Sequence, residues 1–170
     1  MARYLITGVA GTGKSSAAKE LSKRGYNAYD TEEGFSYYIE KSSGEKCAYP
    51  KHPSQKWYNE HERVFDEDVL KNLFKKHAGE DIFIATITAN QSKYYGDFDK
   101  IFLLTTDENT IKHRLETRIG NDFGKHPLDM HRVLSRQREF EDEVKSQDAV
   151  VIDSSGPINE TVDKILAHTA

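Results

Sequence analysis

Residues 8–15 of this 170-residue chain read Gly8-Val9-Ala10-Gly11-Thr12-Gly13-Lys14-Ser15, which matches the phosphate-loop pattern G-x-x-x-x-G-K-[ST]. Glycines in such a loop let backbone N–H groups turn toward a phosphate without a clash at Cβ. We expect Lys14 to reach the β- and γ-phosphates of a nucleoside triphosphate and Ser15 to ligate Mg²⁺. The predicted nucleotide-binding residues of this loop are Gly8, Gly11, Thr12, Gly13, Lys14, Ser15 and Ser16.

The sequence on both sides of the loop fits a strand-loop-helix unit. Residues 3–7 form a short apolar run typical of a strand, and residues 14–24 have a helical pattern. The N-terminus of that helix would face the bound anion, where the helix dipole favours negative charge. The alternative is a glycine-rich turn that caps a helix and binds no ligand.

Alternating strand and helix patterns run along the whole chain. Strands are predicted at residues 3–7, 26–29, 82–88, 100–105 and 149–152, and helices at about residues 14–24, 57–76, 108–118, 128–145 and 158–167. Such alternation implies parallel pairing through right-handed crossovers. The sequence therefore predicts an α/β fold with one domain over residues 1–170.

Two regions interrupt the minimal α/β pattern. One is an insert of about residues 31–80, in which the polar stretch 41–53 predicts a mobile loop. The other is a lid of about residues 119–127 between two arginine-bearing helices. Ligands of open α/β sheets bind beyond the carboxyl ends of the strands, where both regions could cover a nucleotide.

Composition excludes several classes of protein. The net charge of −4 creates no field that would attract nucleic acid or an anionic membrane. The single cysteine, Cys47, allows no internal disulfide and favours a reducing compartment. No apolar stretch approaches the roughly 20 residues that span a bilayer. We expect a cytoplasmic protein, monomeric or homodimeric, without a signal peptide.

These features together resemble the P-loop kinase superfamily, which includes adenylate, shikimate and gluconate kinases. The resemblance rests on the early phosphate loop, an acid at the second strand end, paired arginines around a lid, and a polar loop after the last strand. It is similar in detail to short bacterial members whose lid reads Asn121-Asp122-Phe123-Gly124-Lys125-His126-Pro127. The resemblance implies a three-layer α/β/α fold with a five-stranded parallel sheet of order 2-3-1-4-5.

Arginines flank the predicted lid at helical spacing. Arg114 and Arg118 are four residues apart, as are Arg132 and Arg136, so each pair shares one helix face. A planar guanidinium suits phosphate oxygens, and the pairs resemble the lid arginines of nucleoside monophosphate kinases. We predict that Arg118 and Arg132 are catalytic and that Arg114 binds the nucleotide. The alternative is solvated helix charge paired with neighbouring glutamates.

The predicted acceptor side begins at the second strand end. Asp30 could orient a substrate hydroxyl, accept its proton or ligate Mg²⁺, and Glu32 resembles the second acid of the shikimate kinase Asp-x-Asp pair. The alternative for Asp30 is a helix N-cap. Arg63 could hold a phosphate, and Asn90 and Gln91 follow the third strand, where related kinases contact substrate.

The other predicted features are an aromatic group in the insert and the last loop. The aromatic residues could stack on a base, but we favour a small satellite core of Phe35, Tyr38, Trp57 and Phe65. The resemblance implies that Asp153, Ser154 and Pro157 line an adenine pocket. A plain strand-to-helix turn is the competing interpretation.

A kinase is the favoured function class. A GTPase switch would need Asn-Lys-x-Asp, which is absent, and a motor ATPase would need acidic residues where Ala89-Asn90-Gln91 stands. The segment after the third strand lacks the arginine typical of adenylate kinases. We therefore predict ATP and Mg²⁺ with a small-molecule or nucleoside-type acceptor. A nucleoside monophosphate acceptor is the alternative, and a P-loop ATPase or regulatory module is a further one.

Overall fold

A computed structural model describes residues 1–30 and 34–169, so the predicted site residue Glu32 lies outside the described residues. The strands of the described part are β1 Arg3–Thr7, β2 Asn27–Asp30, β3 Ser36–Glu40, β4 Lys46–Cys47, β5 His61–Phe65, β6 Ile82–Ala85, β7 Lys100–Thr105 and β8 Val150–Asp153. Its α-helices are α1 Lys14–Lys23, α2 Gln55–Glu60, α3 Glu67–Lys76, α4 Glu108–Thr117, α5 Pro127–Lys145 and α6 Ile158–Leu166.

The central sheet has five strands in the order β2-β6-β1-β7-β8, and every pair in it is parallel. Numbered among themselves along the chain, these strands follow the order 2-3-1-4-5, so the predicted topology is confirmed. β6 is the sequence Ile-Phe-Ile-Ala and is buried at every position. A continuous apolar run is typical of a parallel strand that is covered on both faces.

Helices cover both faces of this sheet, which confirms the predicted three-layer architecture. On one face, Leu21 of α1 and Ile165 of α6 belong to one buried cluster with Phe83 of β6. On the other face, Leu70 of α3 and Val144 of α5 belong to a second buried cluster with Leu5, Ile84 and Leu103. No helix among the described residues is both long and apolar enough to cross a membrane.

Residues 34–65, here called the insert segment, fold differently from the prediction. They contain an antiparallel sheet of order β4-β3-β5, with Ser36 opposite Phe65 and Glu40 opposite His61. The prediction of one helix over residues 57–76 is wrong, because β5 separates α2 from α3. Part of the predicted loop 41–53 is strand β4. Long-range strand pairing here overrides the local helical pattern.

Residues 119–127, here called the lid segment, connect α4 to α5. Pro127 is the first residue of α5, where its missing N–H costs nothing. Gly124 has φ +90°, and a Cβ there would lie 3.0 Å from the Leu115 side chain, so the segment packs closely on α4. Whether this segment closes over a ligand, and whether residues 1–170 form one domain with the predicted insert, stay predictions.

Candidate functional site

The phosphate loop connects β1 to α1 and has no room for side chains at its start. A Cβ on Gly8 would lie 2.6 Å from both the Leu104 carbonyl oxygen and Thr12 Oγ1, and φ at Gly8 is +152°. Thr12 is fully buried, and its hydroxyl donates to the Val9 carbonyl at 2.8 Å. The backbone itself therefore forms the inner surface of the loop.

The N-terminus of α1 opens from this loop toward solvent. Its N-cap is Gly13, which makes no side-chain capping hydrogen bond. Ser15 and Ser16 are exposed in the first helical turn. The first N–H groups of a helix need partners outside the helix, and together with the helix dipole they suit an anion. The predicted phosphate site thus has the backbone and the open helix end that it requires.

Lys14 folds back over the loop. Its Nζ donates to the carbonyl oxygens of Gly8 at 2.7 Å and of Val9 at 3.0 Å. Burial, followed by the charges of Arg118 and Arg63, lowers the pKa of Lys14 to about 7. Cations from the lid segment's edge and from the insert segment therefore lie close enough to Lys14 to act on its charge.

Arg114 fastens the loop after β8 to the phosphate loop. Its guanidinium donates to the Gly11 carbonyl at 3.3 Å, to the Ser154 carbonyl at 2.7 Å and to the Ser155 carbonyl at 3.3 Å. These contacts bring the predicted adenine loop next to the predicted phosphate site. Arg114 uses its donors on the protein backbone in this structure, and its contact with a nucleotide stays a prediction.

The loop after β8 makes the hydrogen bonds of a strand-to-helix turn. Asp153 Oδ1 accepts from the Ser155 N–H at 3.0 Å and from its hydroxyl at 2.6 Å, and these bonds lower the pKa of Asp153. Ser154 is buried and donates to the Thr105 carbonyl through its N–H at 2.9 Å. Pro157 is exposed at the start of α6. These hydrogen bonds are the ones expected of a plain strand-to-helix turn, and adenine binding by this loop stays a prediction.

Arg118 ends α4 and shapes the lid segment. It donates to the Asn121 carbonyl at 3.1 Å, to Asn121 Oδ1 at 3.2 Å and to the Phe123 carbonyl. Its guanidinium also lies 5.9 Å from the Phe123 ring centre. One arginine thus orders the lid segment and at the same time places its charge near Lys14.

Arg132 lies on α5 and faces the insert segment. Its guanidinium is 4.0 Å from the ring centre of Tyr58, within the range of a cation–π contact. Burial, followed by the nearby charge of Arg136, lowers the pKa of Arg132. The predicted pair of arginines on this helix therefore does lie together, with Arg132 the more enclosed of the two.

Asp30 is 5% exposed at the carboxyl end of β2. It lies opposite Ala85 of β6, which in turn lies opposite Ile6 of β1. Two strand spacings, about 10 Å, therefore separate Asp30 laterally from the strand that enters the phosphate loop. The alternative role of Asp30 as a helix cap depends on residues 31–33, which lie outside the described residues.

Arg63 reaches the site from β5 of the insert segment. Its Nε donates to Ser36 Oγ at 2.9 Å, and its guanidinium is 5.5 Å from the Tyr38 ring centre. The Arg63 carbonyl accepts from the Ala89 N–H at 2.8 Å, which fastens β5 to the segment after β6. This anchoring explains how a residue of the insert segment comes to lie near Lys14.

Asn90 and Gln91 are engaged within the protein. Asn90 Oδ1 accepts from the Phe65 N–H at 2.9 Å. Gln91 is 2% exposed; its Oε1 accepts from the Thr88 N–H at 3.1 Å, and its Nε2 donates to the Tyr95 hydroxyl at 2.9 Å. Asn90 joins β5 to the segment after β6, whereas Gln91 holds that segment together internally. The contact of either amide with a substrate stays a prediction.

The aromatic residues of the insert segment divide into two groups. Phe35 and Phe65 join the buried cluster on one face of the central sheet, so the predicted satellite core is not a separate unit. Tyr38, Trp57 and Tyr49 instead pack together, with ring centres 5.1–5.3 Å apart. This second group extends to the lid segment, because Tyr49 lies 6.3 Å from Phe123 between ring centres.

Sequence reasoning missed a buried polar contact between the insert segment and α5. The Tyr58 hydroxyl donates to Asp129 Oδ1 at 2.5 Å, and the hydroxyls of Tyr49 and Tyr58 are 2.6 Å apart. Asp129 Oδ2 accepts from the Gly124 N–H at 3.2 Å. In the sequence, Asp129 has only the signal of an acidic residue in the first turn of a helix.

Comparison with known proteins assigns the chain to a family. A family model described as AAA domain matches residues 5–145, which include the phosphate loop, Asp30 and both arginine pairs. The chain belongs to this AAA domain family. No curated protein matches the sequence significantly.

Solved structures with the fold of this AAA domain protein include three kinases. They are deoxyadenosine kinase from M. mycoides with bound dATP (17% identity, TM-score 0.55, 98% of both chains covered), a gluconokinase from Sinorhizobium meliloti 1021 (18%, 0.55, 98% of this chain and 90% of that one) and shikimate kinase from Bacteroides thetaiotaomicron (12%, 0.57, 98% and 97%). At these identities the likeness establishes the fold alone. The predicted resemblance to P-loop kinases is confirmed at that level.

Proposed function

We propose that this protein is a P-loop kinase that transfers the γ-phosphate of ATP to a small-molecule or nucleoside-type acceptor. The observation that carries the proposal is the position of Arg63 and Arg118, whose charges both lower the pKa of the phosphate-loop residue Lys14. Cations gathered from separate segments suit a ligand with several negative charges. Proteins of the same fold include a deoxyadenosine kinase, a gluconokinase and a shikimate kinase.

The donor nucleotide would lie along the phosphate loop. Its phosphates would meet the open N-terminus of α1 and Lys14, and its adenine would lie near the loop that Arg114 fastens down. The exposed Ser15 hydroxyl and the Asp30 carboxylate are hard oxygen ligands of the kind that Mg²⁺ prefers beside phosphates. When bound, Mg²⁺ would neutralise charge on the β- and γ-phosphates.

The acceptor would lie between Asp30 and the insert segment. Asp30 would take the proton of an attacking hydroxyl, while Arg118 and Arg132 would stabilise charge on the phosphoryl group in the transition state of its transfer. The proposed acceptor contacts are Asp30, Glu32, Arg63, Asn90 and Gln91. Closure of the lid segment would exclude the water that otherwise hydrolyses ATP.

A nucleoside monophosphate acceptor is the second candidate. Arg63 favours it, because this arginine brings a cation from the acceptor side of the site to the vicinity of Lys14. A fork of guanidinium donors matches a phosphate or a carboxylate on the acceptor. We further propose a cytoplasmic protein that acts as a monomer or homodimer without nucleic-acid partners.

A phosphoryl-transfer screen tests the proposed function. ATP consumption is measured with sugar acids, hydroxy acids, nucleosides and nucleoside monophosphates, each beside an acceptor-free reaction. We expect one class to raise ADP formation well above the acceptor-free rate. Hydrolysis that no acceptor stimulates would instead favour an ATPase, and a thermal shift with GTP alone would contradict the choice of donor.

ATP binding is expected to take up a proton above neutral pH. Lys14 has a pKa of about 7 in the free protein, well below its ordinary value of 10.5, so it is largely neutral at about pH 8.5. Bound phosphates favour the charged form and would restore the proton. Uptake should approach one proton per ATP at about pH 8.5 and fall to little at about pH 6, and affinity should weaken as pH rises through this window.

Titration calorimetry in buffers of different ionisation enthalpy measures this uptake. Lys14→Met should abolish it, whereas Lys19→Met, at an exposed position of the same helix, should leave it unchanged. Proton uptake that persists in Lys14→Met would assign it to another group.

A further inference from the structure

We propose that Asp129 is a positioning residue, which joins the insert segment to the lid segment and, through Tyr58, fixes the place of Arg132. The part concerning Arg132 rests on the proposed function, whereas the link between the two segments does not. The proposal adds Asp129 and Tyr58 to the residues on which phosphoryl transfer depends.

The link consists of the two oxygens of one buried carboxylate. Asp129 Oδ1 accepts from the Tyr58 hydroxyl at 2.5 Å, and Oδ2 accepts from the Gly124 N–H at 3.2 Å. Asp129 is 4% exposed and Tyr58 is 8% exposed, so water competes little for these bonds. Hydrogen bonds to a carboxylate are about twice as strong as neutral ones. The insert and lid segments are thus held by the same side chain.

The Tyr49 hydroxyl extends this link to the aromatic group of Tyr38, Tyr49 and Trp57. Tyr58 has one hydroxyl proton, which it donates to Asp129, so Tyr49 must donate in the 2.6 Å contact between the two phenols. Burial raises the pKa of Tyr58, and it raises the pKa of Tyr49 to about 12. Both phenols therefore keep their protons through the ordinary pH range, and the direction of the bonds is fixed.

The same series of contacts also fixes the position of Arg132. Asp129 and Arg132 are three residues apart on α5 and share one face of the helix. The Arg132 guanidinium lies 4.0 Å from the centre of the Tyr58 ring, whose orientation the bond to Asp129 determines. Without that bond the ring can rotate or shift, and the guanidinium loses its platform while the charge of Arg136 repels it.

Tyr58 couples the proposed acceptor side of the site to Arg132. Tyr58 belongs to α2 of the insert segment, beside the aromatic residues Trp57 and Tyr49. An acceptor that moves these rings would move Arg132 and the lid segment with them. Binding of an acceptor would therefore change the position of Arg132, the arginine proposed to act on the transferred phosphate.

Hydrogen exchange of the nucleotide-free protein tests the link. Tyr58→Phe keeps the ring but removes the hydroxyl, and Asp129→Asn keeps the shape but removes the charge. Each should speed amide exchange in residues 119–127 by about tenfold or more, the effect of losing one hydrogen bond to a charged group. Tyr37→Phe, in β3 of the same insert segment, is the matched control and should leave these amides unchanged. Exchange in both variants equal to that of the control would overturn the link.

The rate of ATP consumption tests the positioning of Arg132. Tyr58→Phe should lower kcat about tenfold with KM for ATP nearly unchanged, and it should add no further loss to Arg132→Ala. Losses that add fully in the double variant would overturn the positioning role. If the wild-type protein consumes no ATP, the proposed function and the role of Arg132 fail together, while the exchange measurement still decides the link.

Discussion

Replacement of Lys14 by alanine is expected to lower ATP turnover by about 10²–10³-fold or more. A positioned cation at the phosphates stabilises charge that develops in the transition state, and loss of one such group has an effect of that order. Nothing else on the phosphate loop replaces an ammonium group, since the loop's inner surface is backbone and the buried hydroxyl of Thr12. Steady-state ADP release measures the loss.

The stability of Lys14→Ala should be unchanged or slightly higher. A pKa lowered to about 7 means that the fold disfavours the charged lysine, chiefly by burial and then by Arg118 and Arg63. The side chain does contribute hydrogen bonds to two loop carbonyls, which offset part of this cost. Low turnover at an unchanged melting temperature therefore separates a functional role from misfolding.

Lys19→Ala is the matched control for this variant. Lys19 lies on the exposed side of the same helix, and we expect its loss to leave turnover within about twofold, as for most surface substitutions. If Lys14→Ala turned over ATP as fast as Lys19→Ala, the phosphate loop would have no role in transfer.

The central sheet could be predicted because local signals specify it. Its strands are short apolar runs, the glycines and Lys14 identify the first loop, and the alternation of elements implies parallel pairing. The antiparallel sheet could not be predicted in the same way. β5 pairs with β3 through contacts such as Ser36 with Phe65, and short-range patterns carry no record of such distant partners.

The candidate site shows the same division. The phosphate loop, Asp30 and the paired arginines can be identified in the sequence by residue type and spacing. Asp129 does not, because its partner Tyr58 is 71 positions away and an acid in the first turn is ordinary for any helix. The position of Arg63 likewise depends on how β5 is fastened to the segment after β6.

Asp30→Asn is expected to lower phosphoryl transfer by about 10²–10⁴-fold while ATP affinity changes little. An amide cannot take the proton of an attacking hydroxyl, and general-base catalysis accounts for a factor of this size. The side chain is buried, and β6 separates its strand from the strand that enters the phosphate loop. We expect the acceptor to lie across that separation, between Asp30 and the donor phosphates, so the substitution should affect transfer more than ATP affinity.

Transfer rate and ATP affinity must be measured in parallel to test this role. Asp68→Asn, at an exposed position of α3, is the control and should match the wild type in both. Equal losses of affinity and transfer in Asp30→Asn would contradict the base and indicate a structural role. The dependence on Mg²⁺ then separates the two proposed uses of the carboxylate. If Asp30 acts only as a base, Asp30→Asn leaves the Mg²⁺ requirement unchanged. If Asp30 also binds the metal, the substitution raises the Mg²⁺ concentration needed for half-maximal rate.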